Sequence, residues 1–331
     1  MMQAIQVSAP GKAFLCGEYA VTEGSNAIVA AVDRRVVAQS NADAGDGHPA
    51  GPEALAALAA ARSEFGGTCA SPTLDRSALF RRGIKLGLGS SAAGAVAVAG
   101  AVAMSGGHDL DDPSIRRRVF ECALRGHARI APNGSGADIA AATQGGILEF
   151  RRDGSDSVQF RSIQSPPSLM ICLVWTGVSA RTSDLLLQVK RLRSSSPTTY
   201  QQTTSALHEL SATFAAAFSR SDARAVIETA RAYHVAMKAL GRAAGAPVVE
   251  AKLDAIARAA AREGGAAKPC GAGGGDVAVA FFDEKNAAAR FQAACEHAGF
   301  HPLDVQWGAA GVRADLLQDV FGQVLVCEDR V

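Results

Sequence analysis

The sequence feature that most constrains the fold is a segment without a charged side chain, Leu86–Gly107. A segment of this length is long enough to cross a membrane. It consists mostly of Ala, Gly, Ser and Val, however, and these residues gain little free energy on transfer into lipid. Its first third is a Gly/Ser loop, and a run of small apolar residues follows. We therefore expect a helix of small residues that packs closely against a sheet, and no membrane span.

Length and charge narrow the class of protein. The chain has 331 residues, of which 48% are hydrophobic, with 33 basic and 32 acidic side chains. This composition is typical of a near-neutral globular protein, and the length predicts about two domains. Nucleic acids and anionic membranes normally bind a clustered excess of Lys and Arg, which the sequence lacks. We therefore expect neither of them as a partner.

The cysteines and the N-terminal sequence favour a cytoplasmic protein. The seven cysteines occur singly, without a CxxC pair or a histidine at metal-binding spacing. We expect them to be reduced thiols. The first residues, MMQAIQVSAPGK, lack the basic region and the long apolar region of a signal peptide.

The order of strand-like and helix-like segments predicts an α+β fold. The predicted strands of the first half are Ile5–Ala9, Ala13–Gly17 and Arg34–Ser40, followed by a hairpin that turns at Asp153 and Gly154. The predicted helices are Pro52–Phe65, Ser114–Arg129, Thr203–Phe218, Asp222–Leu240 and Val248–Arg262. Strand VAVAFF, helix EKNAAARFQAACEHA and strand PLDVQW then predict a small open sheet covered by helices. The domain boundary is expected near SPPS, Ser165–Ser168.

The sequence GLGSS, Gly87–Ser91, here called the GLGSS loop, has the form of a phosphate-binding loop. It precedes a helix, whose first N–H groups and positive dipole end attract anions. Glycine lets the backbone approach phosphate oxygens, and serine hydroxyls can bind phosphate or magnesium. The loop contains neither GxGxxG nor the GK[ST] of a Walker A loop. On its own it is equally consistent with an ordinary turn before a helix.

Other segments strengthen the phosphate-binding hypothesis. KPCGAGGGDVAVAFF, Lys268–Phe282, places small residues before a strand and predicts a second backbone nest. SAPGKAFLCGEYAV places Lys12 and Glu18 around a tight strand connection. Asp138 follows another Gly/Ser turn, and it is a candidate general base, an orienting group or the N-cap of a helix that begins at Ile139.

The motifs APGKAFLCGEYAV, KLGLGSSAA and KPCGAGGGD, in this order, resemble the three signature motifs of the GHMP small-molecule kinases. The resemblance covers nearly the whole chain, and GEYAV, GSGADIAA and WTGVSARTSDLL are most similar to the phosphomevalonate kinase branch. It implies an N-terminal domain, residues 1–166, that is like ribosomal protein S5 domain 2. Residues 167–331 would form a ferredoxin-like C-terminal domain. ATP and the acceptor would lie in the cleft between the two.

The resemblance also implies roles for individual residues. Lys12 and Asp138 would be catalytic and would lie at the transferring phosphoryl group. The ATP phosphates would be bound by Gly87, Leu88, Gly89, Ser90, Ser91 and Ala92, with Ser91 as the ligand of Mg²⁺. The acceptor would be bound by Lys12, Tyr19, Ser179, Arg181, Thr182, Ser183, Gly271, Ala272, Gly273 and Gly274.

Some residues of these motifs keep two interpretations. Arg181 either binds the acceptor's phosphate or faces solvent. Trp175, at the start of the same motif, is expected in the core, where a tryptophan ring at a strand end is commonly buried. Mevalonate kinases carry a magnesium-binding glutamate where this chain has His127, and the role of this histidine stays open.

The reaction that the resemblance implies is the ATP- and Mg²⁺-dependent phosphorylation of 5-phosphomevalonate to 5-diphosphomevalonate. A phosphate acceptor is already ionised at neutral pH, so Asp138 would pair with Lys12 and orient the acceptor more than act as a base. One alternative is a kinase of the same superfamily that acts on an alcohol such as mevalonate. Another is a non-catalytic ligand sensor, against which the intact Lys12 and Asp138 speak. Monomer and homodimer stay equally open.

Overall fold

The computed structural model describes residues 5–40, 50–66, 72–153, 157–180 and 182–315. The antiparallel strands form two main sheets, and the helices pack on these sheets. This arrangement confirms the α+β class. The strands are β1 (Ile5–Cys16), β2 (Ala27–Ser40), β3 (Thr73–Asp75), β4 (Phe80–Arg81), β5 (Ile84–Lys85), β6 (Ile147–Asp153), β7 (Ser157–Ile163), β8 (Met170–Trp175), β9 (Ala266–Pro269), β10 (Val277–Phe282), β11 (His301–Leu303) and β12 (Arg313–Ala314). The helices are α1 (Pro52–Phe65), α2 (Ser90–Ser105), α3 (Pro113–Ile130), α4 (Ala137–Gln144), α5 (Thr182–Ser195), α6 (Pro197–Ser219), α7 (Ala223–Ala244), α8 (Ala251–Arg262) and α9 (Lys285–His297).

The first sheet has the strand order β12-β1-β2-β6-β7, and β3 also pairs with β2. Strands β1 and β2 are antiparallel, and their register shifts between Pro10 and Gly11. The prediction of two strands, Ile5–Ala9 and Ala13–Gly17, with a tight connection around Lys12, is therefore wrong. The residues without a partner at this shift, Asp33 and Arg34, lie in β2, and β1 continues as one strand through Pro10 and Gly11. Lys12 lies just after this register shift, opposite Ala31 of β2.

Helix α2 is the predicted helix of small residues. Every residue from Ala92 to Ala103 is buried between the first sheet and the neighbouring helices. A methyl group placed at Gly100 would lie 3.0 Å from Cγ1 of Val7 in β1, so small residues allow this close packing. In the part of the chain that the structure describes, no helix is long and apolar enough to cross a membrane.

Local sequence signals predicted several elements correctly. Helix α1 begins at Pro52 and ends before Gly66, which adopts the left-handed conformation with φ 66°. Strands β6 and β7 form the predicted antiparallel hairpin, with Phe150 opposite Phe160. Of the two residues expected at its turn, Asp153 ends β6 and Gly154 lies outside the described residues.

The second sheet has the strand order β11-β8-β10-β9, and its neighbouring strands are antiparallel. The helices α5 to α8 lie between β8 and β9, in the place of the first helix of the motif, and α9 separates β10 from β11. This βαββαβ order confirms the ferredoxin-like fold expected for the second half. The predicted strand from Pro302 to Trp307 is shorter than expected. It ends at Leu303, and Trp307 instead forms a bridge with Val32 of the first sheet.

The chain passes from the first sheet to the second between Ile163 and Met170, around the SPPS segment. Strand β12 then returns to the first sheet, where Val7 and Ser8 of β1 pair with it. The second half therefore contributes a strand to the first sheet. The exact division between residues 166 and 167 stays a prediction.

The described cysteines are buried free thiols: Cys16, Cys122, Cys172, Cys270 and Cys295. Burial raises the pKa of the Cys172 thiol to about 11, and it does the same at Cys270. Cys69 and Cys327 lie outside the described residues.

Candidate active site

The N-terminus of α2 presents backbone donors to a groove of about 580 Å³, here called the outer groove. Gly89 is the N-cap residue, with φ 79°, and it makes no side-chain cap. The first N–H groups of a helix have no intrahelical acceptor. The predicted phosphate-binding residues Ser90, Ser91 and Ala92 supply these groups and line the outer groove, as Gly87 does. This end of α2 therefore suits a bound phosphate.

Leu88 differs from the other residues expected to bind ATP phosphates. Its side chain is buried in the core, with 1% exposed, and it does not line the outer groove. Its backbone has a different contact, because its carbonyl oxygen accepts the N–H of Lys12 at 2.9 Å. Leu88 therefore anchors the GLGSS loop to β1.

Lys12 lies directly against the GLGSS loop. A methyl group placed at Gly89 would lie 3.0 Å from Cγ of Lys12 and 3.1 Å from its Cε, so this glycine makes room for the lysine. Lys12 is 9% exposed, and its ammonium lies 5.3 Å from the centre of the Phe14 ring. None of the ion pairs among the described residues includes Lys12. A buried ammonium without a counterion favours the binding of an anion.

Asp138 lines the same cavity as Lys12, a space of about 160 Å³ that we call the Lys12 cavity. Of the three interpretations of Asp138, the N-cap of a helix beginning at Ile139 is wrong. Helix α4 begins at Ala137, because Gly136 adopts the left-handed conformation with φ 83° and serves as the N-cap. Oδ1 of Asp138 accepts the N–H of Ile139 at 3.0 Å.

The expected ion pair between Lys12 and Asp138 is not formed among the described residues. Both side chains line the Lys12 cavity from different elements, β1 and α4. A ligand in this cavity can therefore lie between a cation and a carboxylate.

The structure brings most of the predicted site residues together. Those that line the Lys12 cavity are Lys12, Tyr19, Gly87, Asp138, Thr182, Gly271 and Ala272. Those that line only the outer groove are Gly89, Ser90, Ser91, Ala92, Ser179 and Ser183. Arg181 lies outside the described residues. The two spaces share Lys12, Gly87, Asp138 and Thr182, so they form one continuous cleft.

The GAGGGD segment, Gly271–Asp276, connects β9 to β10. Its first two residues line the Lys12 cavity, but Gly273 and Gly274 line neither this cavity nor the outer groove. A methyl group at Gly273 would overlap the carbonyl oxygen of Val248, and one at Gly274 would lie 2.7 Å from Cδ1 of Leu185. Packing explains these two glycines, and their contact with an acceptor stays a prediction.

A buried ion pair that the sequence analysis missed holds the GAGGGD segment. The Lys268 ammonium donates to Oε1 of Glu18, and the two side chains are 0% and 2% exposed. The same oxygen accepts the N–H of Gly271 at 3.2 Å. The hydroxyl of Tyr233 donates to the backbone carbonyl oxygen of Glu18 at 2.7 Å. These bonds tie the end of β1 to the start of the GAGGGD segment.

Tyr19 forms a second link between these regions. Its backbone has φ 63°, in the left-handed region that few residues other than glycine adopt. Its hydroxyl donates to the carbonyl oxygen of Ala272 at 2.6 Å. Burial, and then the charge of Glu18, raise the pKa of this hydroxyl, so it stays protonated as a donor. The strained backbone is thus held by contacts at the cavity wall.

Asp276 is a further cleft residue to which the sequence analysis gave no role. Its Oδ1 accepts the N–H of Ala180 at 2.9 Å, and a methyl group at Gly87 would lie 2.6 Å from its Cβ. Burial raises the pKa of the Asp276 carboxyl, while the hydrogen bond from Ala180 and the charge of Lys12 oppose this rise. The one signal in the sequence was its place as the last residue of GAGGGD.

Of the two remaining candidate residues, one lies in the core and the other lines the outer groove. Trp175 is 4% exposed and stacks on His301 with ring centres 5.4 Å apart, which confirms its expected place in the core. His127 is buried and lines the outer groove. Within the described ranges, no group of three or more His, Cys, Asp or Glu side chains could hold a metal ion.

Both halves of the chain match known protein domains. Residues 54–146 match the GHMP kinases N terminal domain, and residues 214–300 match the GHMP kinases C terminal domain. The chain is 31% identical to the phosphomevalonate kinase of Streptomyces sp. (strain CL190), over 83% of this chain and 89% of that relative. It is also 31% identical to the mevalonate kinase of Aeropyrum pernix, over 57% of this chain and 62% of that relative.

The match to one solved structure covers a larger share of this chain than the sequence matches do. The phosphomevalonate kinase of Streptococcus pneumoniae, in complex with phosphomevalonate and AMPPNP, superposes with a TM-score of 0.74. The match covers 92% of this chain and 100% of that chain at 18% sequence identity. At this level of identity the likeness shows a shared fold.

Proposed function

The chain belongs to the GHMP kinase family, whose members use ATP, and we propose that it phosphorylates 5-phosphomevalonate to 5-diphosphomevalonate. The observation that carries the proposal is the buried Lys12 ammonium, which has no counterion among the described residues and lies between the α2 N-terminus and the Lys12 cavity. Phosphoryl transfer spreads negative charge over the γ-phosphate oxygens. A fixed ammonium at this position stabilises that charge.

The GLGSS loop and the N-terminus of α2 are the proposed seat of the ATP phosphates. The N–H groups of Ser90, Ser91 and Ala92 would bind phosphate oxygens there. Mg²⁺ prefers oxygen ligands and usually keeps several waters. The Ser91 hydroxyl fits one such ligand, and phosphate oxygens and water would supply others, since no group of three or more His, Cys, Asp or Glu side chains among the described residues could hold a metal ion. When bound, Mg²⁺ neutralises phosphate charge.

The acceptor's phosphate would lie in the Lys12 cavity, between Lys12 and Asp138. A phosphomonoester has a second pKa of about 6, so one of its oxygens is an ionised nucleophile at neutral pH. This oxygen bonds to the γ-phosphorus as the bond to the bridging oxygen of ATP breaks, and ADP leaves. No proton has to be removed from the acceptor. Asp138 would therefore orient the acceptor and balance the charge of Lys12.

The choice of acceptor rests on similarity as well as chemistry. The Streptomyces relative, named a phosphomevalonate kinase, matches over more of this chain than the Aeropyrum mevalonate kinase does. The Streptococcus enzyme, which shares the fold, was solved with phosphomevalonate bound. Mevalonate is the second candidate acceptor, because Asp138 also lies where it could accept a proton from a hydroxyl.

A coupled assay of ADP release tests the proposal when mevalonate and 5-phosphomevalonate are supplied separately. We expect turnover with 5-phosphomevalonate only. Lys12→Met is the matched control for contaminating kinases, and its kcat should fall by about 10²–10³-fold, the usual loss when one charge-stabilising donor is removed. Turnover with mevalonate alone would overturn the assignment of the acceptor.

A further inference from the structure

A second cavity, of about 650 Å³, continues the Lys12 cavity along helix α5, and we call it the α5 cavity. Both cavities are lined by Tyr19, Thr22, Asn133, Gly134 and Leu186. A molecule bound at Lys12 and Asp138 can therefore extend past these shared residues into the α5 cavity. The proposed site does not yet use this space.

Cations outnumber anions around the α5 cavity. Arg152, Lys190 and Arg193 line it, and Glu23 is the one carboxylate among its lining residues. Oε1 of Glu23 accepts hydrogen bonds from Arg193 and from the hydroxyl of Tyr200, each at 2.9 Å. Burial raises the pKa of Tyr200 to about 12, so its hydroxyl stays a donor to Glu23. Glu23 is thus already paired with Arg193, and Lys190 adds a further positive charge to the wall of the cavity.

Lys190 is the cation best placed to meet a ligand. Arg193 is paired with Glu23, and Arg152 donates to the carbonyl oxygen of Gly134 at 2.8 Å. The Lys190 ammonium, by contrast, takes part in no hydrogen bond or ion pair among residues 5–40, 50–66, 72–153, 157–180 and 182–315. Its polar group is therefore available to a ligand in the cavity.

Helix α5 lines both cavities. Leu186 lines both cavities, and Lys190 follows it by four residues, about 6 Å along the helix axis and on the same face. In extended 5-phosphomevalonate the carboxylate carbon lies about 7 Å from the phosphorus, judged from extended-chain bond lengths. With its phosphate at Lys12, the acceptor can extend its carboxylate towards the residues that the two cavities share, and Lys190 lines the α5 cavity beyond them.

We propose that Lys190 binds the carboxylate of the acceptor and so selects acceptors that carry an anion at the end opposite the reacting group. This inference rests on the proposed function, because it needs the reacting end of the acceptor to lie at Lys12. Lys190 is exposed on α5 and lies outside the core, so its replacement leaves the fold unchanged. Its role is in binding, and it takes no part in the transfer of the phosphoryl group.

The test compares Lys190→Gln with Arg191→Gln, a matched control on the next residue of α5, which lines neither the Lys12 cavity nor the α5 cavity. Lys190→Gln should raise the KM for 5-phosphomevalonate by about tenfold to a hundredfold, the range for one charged hydrogen bond. The KM for ATP and the melting temperature should not change. Arg191→Gln should behave like the unmodified enzyme.

An acceptor analogue with a carboxamide in place of the carboxylate completes the test. The unmodified enzyme should show a raised KM for this analogue, and Lys190→Gln should add little to that rise. An unchanged KM for 5-phosphomevalonate in Lys190→Gln, or full additivity of the two changes, would overturn the inference.

Failure of the proposed function would give a different result from failure of the inference about Lys190. If only mevalonate is phosphorylated, the assigned acceptor is wrong, but mevalonate carries the same carboxylate and the comparison of the two variants is repeated with it. If calorimetry shows that no carboxylate-bearing acceptor binds, the inference about Lys190 falls as well.

Discussion

The GLGSS loop and the GAGGGD segment face the same cleft, but their glycines are needed for different reasons. A methyl group at Gly89 in the GLGSS loop would crowd the side chain of Lys12, which lines the cleft. A methyl group at Gly273 in the GAGGGD segment would overlap the backbone of Val248, which belongs to the scaffold. The glycine of the GLGSS loop leaves room for the Lys12 side chain in the cleft. The glycine of the GAGGGD segment leaves room for the backbone of Val248.

Glycine content alone therefore does not identify the surface that contacts a ligand. Both segments adopt left-handed backbone conformations, so both look alike in sequence and in φ. The atoms next to the missing side chain distinguish them. Glycine substitutions in the GLGSS loop should therefore mainly weaken ligand binding, and glycine substitutions in the GAGGGD segment should mainly lower stability.

The largest expected effect comes from removing the ion pair that holds the GAGGGD segment. Lys268→Met leaves the buried Glu18 carboxylate without its partner, and we expect a loss of about 3–5 kcal/mol in the free energy of unfolding. In the double variant Glu18→Met with Lys268→Met, apolar side chains replace both charges, and most of this loss should be regained. Urea unfolding of both variants measures the difference.

The double variant also separates stability from positioning. It lacks the hydrogen bond from the Gly271 N–H to Glu18, so its KM for the acceptor should stay raised even where stability recovers. Full recovery of both quantities would mean that the ion pair matters only for folding. Recovery of neither would mean that apolar side chains do not fit this position.

A smaller effect is expected within the GAGGGD segment. Gly271→Ala and Gly273→Ala both place a side chain on a left-handed residue, with φ 98° and 83°. A methyl group at Gly271 meets no atom within 4 Å, whereas one at Gly273 overlaps Val248. Gly273→Ala should therefore lose about 1–3 kcal/mol more than Gly271→Ala in thermal or urea unfolding, the usual cost of overpacking. Equal losses would show that backbone strain alone explains both glycines.

The smallest effect concerns Asp276, the residue of the GAGGGD segment that contacts the GLGSS loop. Because burial raises its pKa, the folded state holds the proton more tightly than the unfolded state does. This contribution to stability is fully present below the ordinary value of 3.8 and is lost as the pH rises through the raised pKa. The stability of the unmodified protein relative to Asp276→Asn should therefore fall as the pH rises from the acid range towards neutrality.

Urea midpoints of the two proteins from acid to neutral pH check this sign. A difference that moves in favour of the unmodified protein as the pH rises would contradict it. In that case the hydrogen bond from Ala180 and the charge of Lys12 would outweigh burial.

Elements with local signals could be predicted from the sequence. Pro52 and Gly66 mark the ends of α1, and an uncharged run of small residues predicts the close packing of α2. Interactions between distant residues could not be predicted in this way. The partners Glu18 and Lys268 are 250 residues apart, so no local pattern joins them.

Ambiguous local signals account for the wrong predictions. Pro10 and Gly11 are typical of a turn, but pairing with β2 keeps this segment extended, and the irregularity falls on Asp33 and Arg34 of β2. Asp138 is a residue type that commonly caps helices, but Gly136 two residues earlier already begins α4. In both cases the surrounding structure decided between two conformations that the local sequence permits.

AMPPNP titration of Gly89→Ala tests most directly the proposal that the GLGSS loop binds nucleotide phosphate by keeping Lys12 and the α2 N-terminus accessible. Gly66→Ala is the matched control, because Gly66 is also left-handed but has no atom within 4 Å of an added methyl group and lies outside the cleft. Both variants should lose a similar, small amount of stability, about 1–2 kcal/mol from backbone strain. Only Gly89→Ala should weaken AMPPNP binding in the presence of Mg²⁺, by about tenfold or more if one charged contact is lost. Equal nucleotide affinities in the two variants would contradict the account.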